Sequence, residues 1–130
     1  MAETYAQMEE RAISSANPVT ANEALEILEG DVNALLVDVR DTSEIEATGL
    51  GLRAIAAPGR SVAWMADLVN EYRSQELQDR TRRILTTCGG APSYRGASAA
   101  NVLTRMGFTD VSFVDGGMAA LISAGITTEE

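Results

Sequence analysis

The chain of 130 residues is 45% hydrophobic, which is typical of one globular domain large enough to bury a core. Its formal charge of −9 argues against nucleic-acid binding, because contacts to phosphate groups require clustered Lys and Arg side chains. The absence of His and the presence of one Cys exclude an internal disulfide, the usual zinc sites and both Ser–His–Asp and Cys–His catalysis.

The hydropathy pattern predicts a protein that does not enter a membrane. No apolar stretch approaches the roughly 18–20 residues that a membrane-spanning helix requires. The N-terminus also lacks the charged start and apolar centre of a signal peptide. We therefore expect a cytoplasmic protein whose single cysteine is kept reduced.

Residues 1–17 are predicted to form an N-terminal helical extension ahead of the main domain. Tyr5, Met8 and Ala12 recur at helical spacing and give this segment one apolar face. We expect the face to pack on the domain. Contact with a second copy of the chain, in a homodimer, is the alternative.

The main domain is predicted to begin at residue 18 with a short strand followed by a helix. Thr20 is a suitable N-cap, and Glu23 occupies the position that completes a capping box. The helix is expected over residues 21–29. Residues 34–37 then form a continuous apolar run, which is typical of a strand that is covered on both faces.

Asp38 and Arg40 follow this strand, and their charges allow two interpretations. As site residues, they would line a pocket at the carboxyl end of the sheet. As supporting residues, they would form a local network of ion pairs and hydrogen bonds with Glu44 that fixes the following loop. We favour the supporting role.

The next segment is predicted to contain a short helix, a strand and a longer helix. Thr42 or Ser43 is expected to cap the short helix. The strand is expected over residues 54–57 and the longer helix over residues 61–72. Trp64, within the longer helix, is expected to pack in the core, and partial exposure near the mouth of the site is the alternative.

The most informative stretch is a strand, a cysteine, a loop and a helix in that order. Residues 84–87 are rich in β-branched side chains, as in a buried strand. Cys88 follows at once and precedes a loop of small, turn-forming residues, 89–94. A helical pattern then extends from Arg95 to a terminating glycine, Gly107. The single thiol therefore lies where a strand ends and a helix begins, which is where α/β folds place their chemistry.

This setting favours a reactive thiolate at Cys88. Backbone N–H groups of a glycine-rich loop and the positive end of a helix dipole both stabilise an anion. Arg95 adds a full positive charge near the first turn of the helix. The same surroundings can bind an oxyanion such as thiosulfate, sulfate or phosphate. The alternative is a buried cysteine that serves only as a small apolar side chain.

The C-terminal part of the chain completes an alternating pattern of strands and helices. Residues 111–114 are predicted to form the last strand and residues 118–124 a final short helix. The tail, 127–130, is expected to be loose, so the domain covers residues 18–126. The alternation implies an α/β fold, with a mostly parallel sheet of about five strands and helices on both faces.

Four segments in this order resemble the single-domain rhodaneses, a family of sulfurtransferases. The strand–Cys–loop–Arg–helix unit is one, and the Asp-Val-Arg sequence at residues 38–40 is another. Residues 54–58 resemble the family's GA-x-x-x-P strand, and residues 107–117, which end in Asp-Gly-Gly, complete the set. The resemblance extends over residues 18–125 and implies the rhodanese-like fold for nearly the whole chain.

The resemblance also implies covalent sulfur transfer with Cys88 as the catalytic residue. Its thiolate would take the outer sulfur of a donor such as thiosulfate, become a persulfide and pass the sulfur to cyanide or a cellular thiol. Asp38 and Arg40 would support the site, and no metal or organic cofactor is expected. The residues expected to bind the donor are Gly89, Gly90, Ala91, Ser93, Tyr94 and Arg95.

The loop between Cys88 and Arg95 departs from the family pattern. Rhodaneses place four residues between these positions and the related phosphatases and arsenate reductases five, whereas this chain has six, including Pro92. Loop length decides which oxyanion fits, because the N–H groups must converge on it. One alternative is therefore a Cys-dependent phosphatase or arsenate reductase of the same fold, with Asp41 or Glu44 near the leaving group. The other is a non-catalytic module that binds a partner or senses redox state.

Overall fold

The structure, a computed structural model that describes residues 2–129, is organised around a five-stranded sheet. Its strands lie in the order β1-β6-β5-β2-β4, and every neighbouring pair is parallel. The predicted α/β fold with a sheet of five strands is thus confirmed. In chain order, the strands are Pro18–Val19 (β1), Leu35–Asp38 (β2), Leu50–Gly51 (β3), Ile55–Ala56 (β4), Ile84–Thr87 (β5), Val111–Val114 (β6) and Thr128–Glu129 (β7).

Helices cover both faces of this sheet, as predicted. Helices α1, α4 and α5 pack on one face and helices α2 and α6 on the other. Within residues 2–129, no helix has the length and apolar character needed to cross a bilayer. The helices are Tyr5–Ser15 (α1), Ala21–Gly30 (α2), Thr42–Thr48 (α3), Ser61–Ala66 (α4), Arg95–Arg105 (α5) and Gly117–Ala124 (α6).

Side-chain alternation along the two central strands divides the core into two layers. Leu35, Val37 and Ile84 belong to the layer under α1, α4 and α5. Leu36 and Leu85 belong to the layer under α2 and α6. Successive side chains of a strand point to opposite faces, and here both faces are covered, which explains the continuous apolar runs in the sequence. Each of these buried side chains contributes about 1.5–3 kcal/mol of hydrophobic stabilisation.

Two sequence-predicted helix ends are confirmed in detail. At the start of α2, the N–H of Glu23 donates to Thr20 Oγ1 at 3.1 Å, and the N–H of Thr20 donates to Glu23 Oε1 at 2.9 Å. At the end of α5, Gly107 has a φ of +100°. The N–H of Phe108 there donates to the carbonyl oxygen of Leu103 at 3.1 Å, the bond that defines a Schellman motif.

The predicted helix over residues 61–72 is wrong in its second half, because α4 ends at Ala66. The side chains of Asp67 and Asn70 accept hydrogen bonds from backbone N–H groups two residues ahead, at 3.4 and 2.8 Å. These local turns satisfy backbone groups that a longer helix would have used. Trp64 is 46% exposed, so the expectation that it packs in the core is also wrong.

Helix α3 begins at Thr42, which is one residue earlier than a Thr42 cap and two residues earlier than a Ser43 cap would place its start. The N-cap is Asp41, whose backbone N–H donates to Glu44 Oε1 at 3.0 Å. The sequence contains the spacing for this cap, since a glutamate lies three positions after Asp41 and aspartate is among the preferred N-cap residues.

The C-terminal tail also differs from the prediction of a loose segment over residues 127–130. Thr128–Glu129 pairs antiparallel with Leu50–Gly51 in a separate two-stranded sheet. The carbonyl oxygen of Thr127 accepts a further bond from Leu52 at 2.9 Å. Residue 130 and residue 1, which fall within the predicted tail and the predicted N-terminal helix, lie outside the described residues.

Candidate active site

The topology places Cys88 at the carboxyl end of the central strand, β5. The neighbouring strand β2 ends at the same edge, because Asp38 pairs in register with Thr87. Helix α5 begins at Arg95, seven residues after the cysteine. Residues 89–94, called the glycine loop below, therefore connect the end of a strand to the start of a helix, in the position where α/β folds bind ligands.

The Cys88 thiol is buried under the glycine loop. The residue has no exposed surface, and its Sγ lies 3.6 Å from the carbonyl oxygen of Ser93, to which it donates. The loop is closed on itself as well, since the N–H of Ser93 donates to the carbonyl oxygen of Gly90 at 3.0 Å. Because Cys88 has no exposed surface, a substrate reaches the sulfur only when neighbouring groups move.

The start of helix α6 determines which way the loop backbone faces. The N–H groups of Met118 and Ala119 donate to the carbonyl oxygens of Cys88 and Gly89 at 2.6 and 3.1 Å. Gly117 has a φ of +60°, and a Cβ atom there would lie 2.7 Å from the backbone nitrogen of Gly90. The second glycine of the Asp-Gly-Gly sequence is thus explained by close contact between two backbone segments, which only glycine permits.

The remaining loop N–H groups are available to a ligand. Those of Gly89, Gly90, Ala91 and Tyr94 donate to no acceptor within residues 2–129. Unpaired backbone donors in a glycine-rich turn next to a helix start are typical of anion-binding loops. Of the residues predicted to bind the donor, Gly89, Gly90, Ala91 and Tyr94 therefore keep an unpaired backbone N–H. The N–H groups of Ser93 and Arg95 are already used, by the carbonyl oxygen of Gly90 and by Ser93 Oγ.

Arg95 is held by two carboxylates at the start of α3. Its Nη1 lies 2.8 Å from Asp41 Oδ1, and its Nη2 lies 2.8 Å from Glu44 Oε1. The hydrogen bond from Arg95, followed by one from the backbone of Asp41, holds the pKa of Glu44 below its ordinary value. The other carboxylate oxygen, Oε2, would lie 3.3 Å from a Cβ atom on Gly89, so this charge borders the glycine loop.

Asp38 and Arg40 form a buried ion pair behind the site. Arg40 Nη2 lies 2.8 Å from Asp38 Oδ2, and both side chains are almost fully buried. Arg40 also donates to Thr48 Oγ1 at 2.7 Å and to the carbonyl oxygens of Glu44 and Gly49 at 3.3 and 3.1 Å. These contacts tie α3 to the end of β2. Glu44 contributes its carbonyl group to this network, while its carboxylate binds Arg95.

Tyr5 is a neighbour of the site that the sequence patterns do not single out. Its hydroxyl donates to the carbonyl oxygen of Pro92, and its ring centroid lies 5.4 Å from that of Tyr94. Desolvation against the loop raises the pKa of Tyr5, with smaller contributions from Glu9, Tyr94 and Cys88. A contact between positions 87 residues apart leaves no local signal in the sequence beyond an aromatic residue on an amphipathic helix.

The arrangement offers one nucleophile and a set of anion-binding groups. Cys88, the glycine loop and Arg95 lie together, Asp38 and Arg40 lie behind them, and Tyr5 and α6 are the parts that sequence reasoning missed. Within the described chain, 2–129, no group of three or more Cys, Asp and Glu side chains is arranged to hold a metal ion. The site thus combines a sulfur nucleophile with groups that can bind an anionic substrate next to it.

Sequence comparison identifies one protein family. The model of the rhodanese-like domain matches residues 20–124. Comparison with curated protein sequences finds no match. The matched range includes every strand of the main sheet except β1, together with Cys88, the glycine loop and Arg95.

Three solved structures show what the fold is similar to. A protein from Rhodopseudomonas palustris, described as a possible tyrosine phosphatase, is 25% identical, with 99% of this chain and 96% of that chain covered and a TM-score of 0.86. The rhodanese-like domain of an Anabaena protein is 30% identical, with 86% of this chain and 77% of that chain covered and a TM-score of 0.65. The polysulfide-sulfur transferase homodimer of Wolinella succinogenes is 20% identical, with 95% of this chain and 85% of that chain covered and a TM-score of 0.74.

Proposed function

The chain belongs to the rhodanese-like family, and from this premise we propose that it is a sulfurtransferase that carries sulfur on Cys88 as a persulfide. The observation that supports this most directly is the position of the only cysteine, at the end of the central strand and directly before a loop with unpaired N–H groups. The similarity to a polysulfide-sulfur transferase is consistent with such a function.

The proposed reaction has two half-reactions at one sulfur atom. In the first, the Cys88 thiolate attacks the outer sulfur of thiosulfate, or of a similar donor, and its electron pair forms the new S–S bond. The S–S bond of thiosulfate breaks, and its electron pair leaves on sulfite. In the second, cyanide or a thiolate attacks the outer persulfide sulfur, and the Cys88 thiolate is released. A covalent intermediate of this kind predicts ping-pong kinetics.

The residues around Cys88 would bind the negatively charged donor and stabilise the charge that develops on its leaving group. The unpaired N–H groups of the glycine loop would bind the sulfonate oxygens, and they would stabilise the charge that builds up on the departing sulfite. Arg95 would offset the charges of Asp41 and Glu44, which would otherwise repel a dianionic donor. No step requires a proton from these carboxylates, since a thiolate and sulfite leave as anions.

The test of this proposal is the intact-protein mass after incubation with thiosulfate. We expect a gain of one sulfur atom that cyanide removes with release of thiocyanate. Because Cys88 is the only cysteine, the gain would place the persulfide on that residue. No gain, with Cys88 still alkylated by iodoacetamide, would contradict sulfur transfer from this donor. No gain and no alkylation would favour the non-catalytic module.

Replacing Arg95 by alanine should weaken donor binding and leave the fold intact. The change leaves Asp41 and Glu44 uncompensated beside the glycine loop, so we expect KM for thiosulfate to rise about tenfold, equivalent to about 1.4 kcal/mol. Steady-state thiocyanate formation measures it. Arg105→Ala, at the exposed end of the same helix, is the matched control and should match the wild type. Full activity of Arg95→Ala would remove the role assigned to Arg95.

A Cys-dependent phosphatase is the second candidate. It is supported by the similarity to the protein from Rhodopseudomonas palustris and by the carboxylates of Asp41 and Glu44 beside the loop. The lowered pKa of Glu44 makes this carboxylate less suited to protonate a leaving group, because it stays ionised to lower pH. Turnover of a generic aryl phosphate, with no sulfur gain from thiosulfate, would favour the phosphatase.

A further inference from the structure

The N-terminal helix is anchored to α5 by its C-terminal half. The side-chain amide of Asn101 lies 3.2 Å from both the carbonyl oxygen of Ala12 and the hydroxyl of Ser15. Ala12 and Ile13 also pack against the buried cluster beneath α5. In this orientation the N-terminal end of α1 lies at the glycine loop, and Tyr5 contacts the loop there.

Tyr5 makes two contacts with the glycine loop, one on each side of Ser93. Its hydroxyl donates to the carbonyl oxygen of Pro92, the residue before Ser93. Its ring lies 5.4 Å from the ring of Tyr94, the residue after Ser93, with 49° between the planes. Tilted aromatic pairs and hydrogen bonds of this kind both stabilise the contact. Tyr5 is 52% exposed, so it lies on the outer side of the loop.

Ser93, between these two contacts, is the loop residue that touches the thiol. Cys88 Sγ lies 3.6 Å from its carbonyl oxygen, and Cys88 has no exposed surface. Approach to Sγ therefore requires neighbouring groups to move, and the Ser93 carbonyl group is one of these neighbours. The Tyr5 contacts restrain the residues on both sides of Ser93, so they oppose a movement of this part of the loop.

We propose that Tyr5 is a positioning residue of the Cys88 site, which holds the glycine loop closed over the thiol and thereby controls access to it. It acts through Pro92 and Tyr94 and touches neither donor nor acceptor in the closed form. The proposal rests on the proposed function only in taking Cys88 as the nucleophile. It adds that the N-terminal helix, which lies before the residues matched by the family model, is part of the site.

The test is the rate at which iodoacetamide alkylates Cys88 in the native protein, followed by intact-protein mass. Tyr5→Ala removes both contacts and should raise the rate about tenfold, and Tyr5→Phe, which keeps the ring, should raise it about threefold. Tyr72→Ala and Tyr72→Phe are the matched controls, because Tyr72 is 68% exposed and belongs to the segment after α4. Both controls should be alkylated at the wild-type rate.

The dependence of these rates on urea separates loop opening from global unfolding. A loop that opens locally exposes little surface, so the Tyr5→Ala rate should change little with urea below the unfolding transition. A steep rise with urea would mean that the variant is alkylated through unfolding, and this would overturn the proposal. A Tyr5→Ala rate equal to that of the wild type or of Tyr72→Ala would overturn it equally. Thiosulfate is absent from this experiment, so a failure of sulfur loading does not affect its outcome.

Discussion

Replacing Cys88 by serine should abolish sulfur loading from thiosulfate and lower kcat/KM for thiocyanate formation at least about a thousandfold, as expected for removal of a catalytic nucleophile. A serine hydroxyl is a far weaker nucleophile than a thiolate at neutral pH, and it forms no persulfide. Because no other cysteine is present, no second residue can take over the reaction. Intact-protein mass and steady-state kinetics measure the two effects.

The Cys88→Ser variant should retain the fold, and this makes the result interpretable. Serine has the same shape as cysteine and is slightly smaller, so it fits the buried position of Cys88 without a clash. Circular dichroism and the midpoint of urea unfolding should therefore stay near the wild-type values. Sulfur transfer that persisted in this variant would show that Cys88 does not carry the sulfur.

Replacing Asp38 by alanine should lower the free energy of unfolding by about 3–5 kcal/mol. The change leaves the guanidinium of Arg40 buried without its anionic partner, and uncompensated buried charge is among the most destabilising defects in a folded protein. Since typical domains are stable by about 5–15 kcal/mol, this loss is a large fraction of the total. Urea unfolding followed by circular dichroism measures it.

Two comparisons show whether the effect comes from the buried charge. Asp110→Ala breaks the exposed pair with Arg83, at 3.8 Å, and should cost less than about 1 kcal/mol. Asp38→Leu combined with Arg40→Met replaces the whole buried pair by apolar side chains and should recover much of the stability that Asp38→Ala loses. If Asp38→Ala cost no more than Asp110→Ala, the supporting role of the pair would be contradicted.

The buried ion pair and Cys88 are connected through the sheet. Asp38 lies in register with Thr87 on the adjacent strand, directly before Cys88. Arg40 in turn holds the two ends of α3 through the carbonyl oxygens of Glu44 and Gly49. The carboxylates that bind Arg95 are on the first turn of that helix. Loss of the buried ion pair should therefore shift α3 and, with it, the carboxylates that bind Arg95.

Local sequence patterns predicted the parts of the fold that depend on neighbouring residues. The capping box at Thr20, the strands 84–87 and 111–114, and the Schellman end at Gly107 all agree with the structure, because each depends on residues within a few positions. The helix over 61–72 failed for a reason that is also local. Its apolar spacing continues, but the side chains of the intervening polar residues form turns that end the helix.

The candidate site likewise has a part that depends on neighbouring residues and a part that depends on contacts between distant residues. Cys88, the glycine loop and Arg95 are contiguous in the chain, so the sequence by itself determined that a thiol would lie between a strand and a helix start. The tertiary structure alone decided that Arg95 binds Asp41 and Glu44 and that Tyr5 contacts the glycine loop at Pro92 and Tyr94. Short-range structure follows from steric and hydrogen-bonding preferences of adjacent residues, whereas contacts between distant residues depend on how the whole chain packs.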